Sequence, residues 1–188
     1  VIRSWIAWPM ILAVMAQSMF VTIFFFQQVE LSLEKSWNVN QFAILVPIYT
    51  FIGLFSTFVS GFLIDKFGVR YLVPFYLLPG ILGFICAAIF NSPETSIFTF
   101  GLLGIMQGFS NALSGTFWPE YFGTYYLGDV RAVATSAMVI ASAIGPFLSG
   151  LLLDQDISLT SQFYMMSILM IFVSIGLFIS SIKVGRLT

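Results

Sequence analysis

Six apolar runs free of Asp, Glu, Lys and Arg divide the chain, at residues 4–29, 36–64, 71–93, 95–119, 132–153 and 157–182. All fifteen charged side chains fall between them. The shortest run has 22 residues, which as an α-helix spans about 33 Å against a hydrocarbon core of about 30 Å. Unpaired backbone amides are too costly in hydrocarbon for open strands, so the runs must be helices. The pattern predicts an all-α membrane protein of six transmembrane helices. They form one bundle over residues 1–188, with spans at about 5–28, 41–64, 71–90, 97–118, 132–153 and 162–182. The punctuation between them agrees. Asn38 or Asn40 can cap the second span, Asp129 the fifth and Ser158 or Thr160 the sixth, while Asn91-Ser92-Pro93 breaks the chain before the fourth.

Composition changes this picture only by exclusion. Apolar residues make up 59% of the chain and charged residues 8%, whereas a soluble domain carries about 25% charged residues. Net charge is −1 with the cations scattered, so nucleic acid is excluded as a partner. Cys86 is the single cysteine, which rules out a disulfide framework. The absence of histidine removes a Ser-His dyad, a His-based metal site and a His proton switch. No enzyme, metal site or cofactor is expected. Val1 is not an initiator methionine, and the first apolar run is too long for a signal-peptide core. The chain therefore reads as a fragment or trimmed piece of a longer protein.

Charge also orients the spans. Arg3, Lys66, Arg70, Arg131, Lys183 and Arg186 fall on one face, and only Lys35 on the other. The positive-inside rule makes the first face cytoplasmic, with both termini inside.

Polar residues within the spans are few. In the fourth span, Gly101, Gly104, Gly108 and Gly115 lie within about 60° of one another on a helical wheel, a seam for close helix contact. Beside it, Gln107, Asn111 and Ser114 form a stripe at i, i+4, i+7 spacing. Amides at bilayer depth are costly unless they bond a neighbouring helix or face a wet cavity, and both readings stand here. Gln17 lies near the centre of the first span and Tyr49 in the second. Together with the stripe they are the candidate substrate-lining residues: Gln17, Tyr49, Gln107, Asn111 and Ser114. Spans three and six hold no amide or charge in their interiors, which fits third helices facing lipid while the others border a pore. In the fifth span, Ala137, Ala141, Gly145 and Ser149 make a small-residue ridge. There Gly145-Pro146 predicts a bend, read either as a hinge or as a static kink. The segment Ser60–Asp65 is echoed by Ser149–Asp154, as an inverted three-plus-three repeat would produce.

The charged knot between spans two and three reads Gly61-Phe62-Leu63-Ile64-Asp65-Lys66-Phe67-Gly68-Val69-Arg70. Gly61 permits close helix approach and Gly68 a tight turn, Asp65 can meet a helix N-terminus or a cation, and Lys66 and Arg70 supply positive charge. The knot resembles the loop that joins the second and third helices in each half of major facilitator superfamily transporters. With Gly145-Pro146 and Gly150 in span five, six spans look like the C-terminal half of such a carrier. The run from Phe24 to Trp37 is similar to bacterial carriers of the monocarboxylate and oxalate/formate type. The resemblance implies half of a twelve-helix fold in the bacterial inner membrane, moving a small solute by alternating access. A small organic anion would be the substrate, and a missing N-terminal six-helix half the other cavity wall. The loop residues Gly61, Asp65, Lys66, Gly68 and Arg70 would steady one conformational state, and Gly145 and Pro146 would serve as hinge. One departure is visible: monocarboxylate-type carriers place a cation inside span two or five, and neither span as bounded here has one. A six-span scaffold without transport activity is the alternative reading.

Overall fold

The computed structural model describes residues 7–184. Five long helices carry the bundle: α1 (Ala7–Phe26), α3 (Val39–Phe67), α6 (Ser96–Phe122), α7 (Leu127–Leu153) and α8 (Leu159–Val184). Each contains a segment long and apolar enough to cross a membrane. Short α2 (Gln28–Glu34) follows α1, and α4 (Val69–Leu72) and α5 (Leu78–Ile89) follow α3. No strand occurs among the described residues.

The third expected span differs from its prediction. Residues 71–90 do not form one helix, because turns separate α4 from α5 across 73–77. Pro74 lacks a backbone N–H and so cannot continue the helical hydrogen-bond ladder. The ladder there tightens to Phe75 N–H on Leu72 O and Leu78 N–H on Phe75 O, both 3.0 Å. The carbonyl of Pro74 is satisfied instead by Ser174 Oγ of α8 at 2.6 Å, a repair that makes a proline break tolerable at membrane depth.

The packing has an internal symmetry. Helix α3 packs on α6 and α7 on α1, α5 packs on α6 and α8 on α1, and α5 packs on α8. Exchanging the triplet α1, α3, α5 for α6, α7, α8 carries this set of pairs onto itself. That exchange symmetry is the pairing an inverted repeat would produce. Ser60 and Ser149, the echoed serines, are both buried. Ser60 Oγ donates to Gly108 O at 3.3 Å, and Ser149 Oγ to Gln162 Oε1 at 2.6 Å.

The glycine seam closes α6 on α3. A Cβ at Gly104 would sit 2.7 Å from Tyr49 O, and one at Gly108 would sit 2.6 Å from Gly53 O and 2.7 Å from Thr57 N. Gly101 faces Ile52, but Gly115 meets nothing within 4 Å and lies outside the seam. In the α1–α7 pair the small residues sit on α7, where a Cβ at Gly145 would lie 3.0 Å from Met19 O. Around these contacts Phe24 gathers Phe100, Phe163 and Phe84 at centroid distances of 5.3, 5.9 and 6.4 Å.

Helix ends at the Lys35 face are tied by two adjacent side chains of opposite charge. The Glu34 carboxylate accepts from Leu159 N–H at 2.8 Å and from Thr160 N–H and Oγ1 at 3.2 and 2.6 Å, at the start of α8. Lys35 Nζ donates to Ala87 O at 2.7 Å and Ala88 O at 3.3 Å, at the end of α5. Burial pushes the Lys35 ammonium below its ordinary pKa, with Glu34 opposing. Each charge faces the helix end whose dipole it complements. Asn38 caps α3, accepting from Asn40 N–H, and Ser158 accepts from Ser161 N–H beside α8. Asp129 is not a cap: α7 begins at Leu127, which puts Asp129 in its first turn.

The seam predicts a contrast between two glycines of one helix. Gly108→Val should lower the unfolding free energy of the full protein in detergent by about 2 kcal/mol or more, since α3 backbone occupies the added volume. Gly115→Ala should be neutral or raise it by up to about 1 kcal/mol, because an open helical position gains propensity.

Candidate functional site

Helix α1 carries Gln17 near its midpoint, α3 carries Tyr49 in its first half, and α6 carries Gln107 and Asn111 one turn apart. The fold joins these four residues. Gln17 Nε2 donates to Gln107 Oε1 at 3.2 Å, and Tyr49 OH donates to the same oxygen at 3.2 Å. Gln107 Nε2 in turn donates to Asn111 Oδ1 at 2.9 Å. Gln17 is buried, Tyr49 and Gln107 are half-buried, and Asn111 is exposed. The network thus runs from the interior to an open face. It carries no formal charge, so it can offer hydrogen bonds but no ion pair.

Ser114, the fifth candidate, stands apart. It lines a cavity of about 290 Å³ with Val14, Trp118, Arg131, Thr135 and Met138 between α1, α6 and α7. Arg131 was not among the candidates, because span five was placed at 132–153. The helix starts five residues earlier, and Arg131 lies in its second turn. Arg131 therefore belongs to the helix of the fifth span, near its start. Its guanidinium donates to Gly115 O at 3.0 Å, and it forms no ion pair among the described residues. The shift in helix start was readable only from Leu127-Gly128 continuing the apolar pattern, against the stronger signal of Asp129.

The charged loop behaves differently from its expected roles. Gly68 ends α3 with φ 86°, its N–H bonded to Ile64 O at 2.7 Å, so the turn needs glycine. Gly61 has nothing within 4 Å of a built Cβ and makes no close helix contact. Asp65 and Lys66 are exposed, and Asp65 has no hydrogen-bond or ionic partner among the described residues. Lys66 leans on the Phe67 ring. Arg70 is the anchored member: its Nε donates to Ser181 O at 3.2 Å, while Ser181 Oγ donates to Arg70 O at 2.9 Å. Helix α7 is continuous through Pro146, with Gly145 buried against α1.

A helical bundle with five lipid-length apolar helices and an uncharged polar network in its interior is an integral membrane protein. Residues 9–185 match the family model of the Major Facilitator Superfamily. The chain belongs to that superfamily of membrane transporters. Neither a curated protein nor a solved structure gives a match to it.

Gln107 is the hub of the network and Asn111 its open end, which predicts unequal costs. Gln107→Leu should destabilise the protein by about 1–3 kcal/mol, because Gln17 and Tyr49 lose their shared acceptor. Asn111→Leu should stay within about 0.5 kcal/mol in the same thermal-unfolding measurement.

Proposed function

We propose that this chain is the C-terminal half of a secondary active carrier that moves a small organic anion, such as a monocarboxylate, across the bacterial inner membrane by alternating access. The observation that carries the reading is the Gln17–Tyr49–Gln107–Asn111 network, drawn from three helices and open at Asn111. Arg131 and Ser114 in the adjoining cavity favour an anion, since the guanidinium keeps donors unspent and no carboxylate pairs with it among the described residues. The N-terminal half would cover the outer faces of α3 and α7. Each of these helices has one main packing partner, and α3 presents Phe51, Phe55, Phe58 and Phe62 to the outside. Asp65 sits close to the C-terminus of α3, where an anion is electrostatically unfavourable. Its contribution is then to conformational equilibrium rather than to local stability. The hinge reading of Gly145 and Pro146 belongs to the same proposal: α7 would rock on α1 at its closest contact.

The test is uptake of a panel of small radiolabelled monocarboxylates by the full-length carrier in proteoliposomes. Asn111→Leu should raise the half-saturating concentration about tenfold, the worth of a hydrogen bond of about 1.4 kcal/mol, and leave the pH profile of transport unchanged. Asp65→Asn should slow turnover several-fold at normal affinity and stability. Saturable uptake of none of the anions would sink the reading, and an altered pH profile in Asn111→Leu would remove the neutral role of this network.

Orientation has its own check. The excess of six cations over one supports a cytoplasmic side for the Asp65–Arg70 loop and both termini. In intact cells an impermeant thiol reagent should label a cysteine at Ser92 and not one at the exposed Phe67 position, and the reverse pattern would invert the topology.

A further inference from the structure

Hydrogen-bond accounting in the network leaves one group over. Gln107 Nε2 is committed to Asn111 Oδ1, so Gln107 Oε1 faces the other way and takes both Tyr49 OH and Gln17 Nε2. Gln17 therefore turns its amide nitrogen into the network, and its Oε1 is left buried with no hydrogen-bond partner. Gln17 is 4% exposed, and a buried carbonyl without a donor is a standing cost to the fold. Such a cost is expected where a ligand supplies the missing partner.

The surroundings suit a ligand rather than further protein. Backbones of α1 and α6 do not pack closely on each other, unlike α3 and α6 or α1 and α7; the Gln17–Gln107 bond bridges the gap between them. Val14, one turn from Gln17 on the same helix, lines the cavity of about 290 Å³ bordered by α1, α6 and α7. At the other end of the same amide chain Asn111 is exposed, and Ser114 and Arg131 follow along the wall. The site thus offers an unfilled acceptor at its buried end and donors at its open end.

We propose that Gln17 Oε1 accepts a hydrogen bond from a hydroxyl group of the transported solute, and that the carrier selects small hydroxylated carboxylic acids over their unhydroxylated counterparts. The inference rests on the organic-anion reading above and adds the residue that sets specificity. In the bound state the hydroxyl meets Gln17 while the carboxylate faces the donors of Asn111. A solute without the hydroxyl leaves the buried carbonyl unpaired, and sites built around a hydrogen bond discriminate strongly against such analogues. Tyr49 keeps Gln107 Oε1 satisfied when Gln17 is replaced. Gln17 is then dispensable for the fold in a way that Gln107 is not.

The experiment compares glycolate with acetate and 3-hydroxypropionate with propionate, as competitors for uptake by the full-length carrier in proteoliposomes. The wild type should prefer each hydroxy acid about tenfold, and Gln17→Met should bring both ratios to about one. The substrate-free Gln17→Met protein should melt at or above the wild-type temperature, since the substitution removes the unpaired carbonyl. Equal affinity for both members of each pair in the wild type overturns the proposal and leaves the organic-anion reading standing. So does a preference that survives Gln17→Met, or a fall in melting temperature as large as that of Gln107→Leu, which would make Gln17 interhelical glue. If none of the four acids competes, the organic-anion reading fails and takes this inference with it.

Discussion

The contact on which the rest of this bundle depends is that of two α6 glycines with the backbone of α3. At Gly104 and Gly108 the approach leaves no room for even a methyl group. Between helices in lipid no hydrophobic force pulls neighbours together, because hydrocarbon tails are as apolar as the side chains they would replace. Close van der Waals packing and interhelical hydrogen bonds must do it. The seam brings Tyr49 within reach of Gln107, since Tyr49 O is itself the atom that Gly104 abuts. Packing and site are one arrangement here: a bulkier residue at the seam would move the hydroxyl from the amide.

A second constraint is the treatment of helix ends. Glu34 faces the start of α8 and Lys35 the end of α5, and these two helices pack on each other. At the opposite end of α8, Arg70 and Ser181 exchange hydrogen bonds. The α5–α8 pair is thus tied near both faces of the bundle by side chains from connecting segments. This fits a division of labour in which the outer pair stays rigid while α3 and α7, each resting on a single main partner, are the helices free to engage other surfaces. The charged loop takes part through Arg70, which binds within its own half, whereas Asp65 remains uncommitted.

The interior network has consequences for electrostatics. Four neutral side chains share three hydrogen bonds, and the Arg131 guanidinium lines a separate cavity. Neutral amides avoid the desolvation cost of a charge at bilayer depth. Their weakness as charge partners is matched by directional selectivity, since an amide accepts at one end and donates at the other. Gln17 and Gln107 belong to the first helices of the two triplets and meet each other, so the network joins one triplet to the other.

Much of this was legible in the sequence because the bilayer imposes a one-dimensional rule. Apolar length and the position of charges mark the runs that can cross, and lipid leaves helix as the open choice; of the six spans expected, five form long helices, and the seam glycines and four amide and phenol candidates are marked by rarity. Local chemistry went further at Gly68 and Asn38, where a turn and a cap need nothing beyond their neighbours. Other features depend on contacts between distant segments. The break at Pro74 is tolerated only because Ser174 lies beside it. Glu34, Lys35 and Arg70 bond carbonyls and amides that their own surroundings do not reveal, and Gly61 and Gly115 fit a packing pattern yet meet no partner. Arg131 lies inside α7 because that helix starts at Leu127, ahead of its long apolar run. Period and charge decide what each helix can face; which atom completes a hydrogen bond is decided only when helices far apart in the chain are brought side by side.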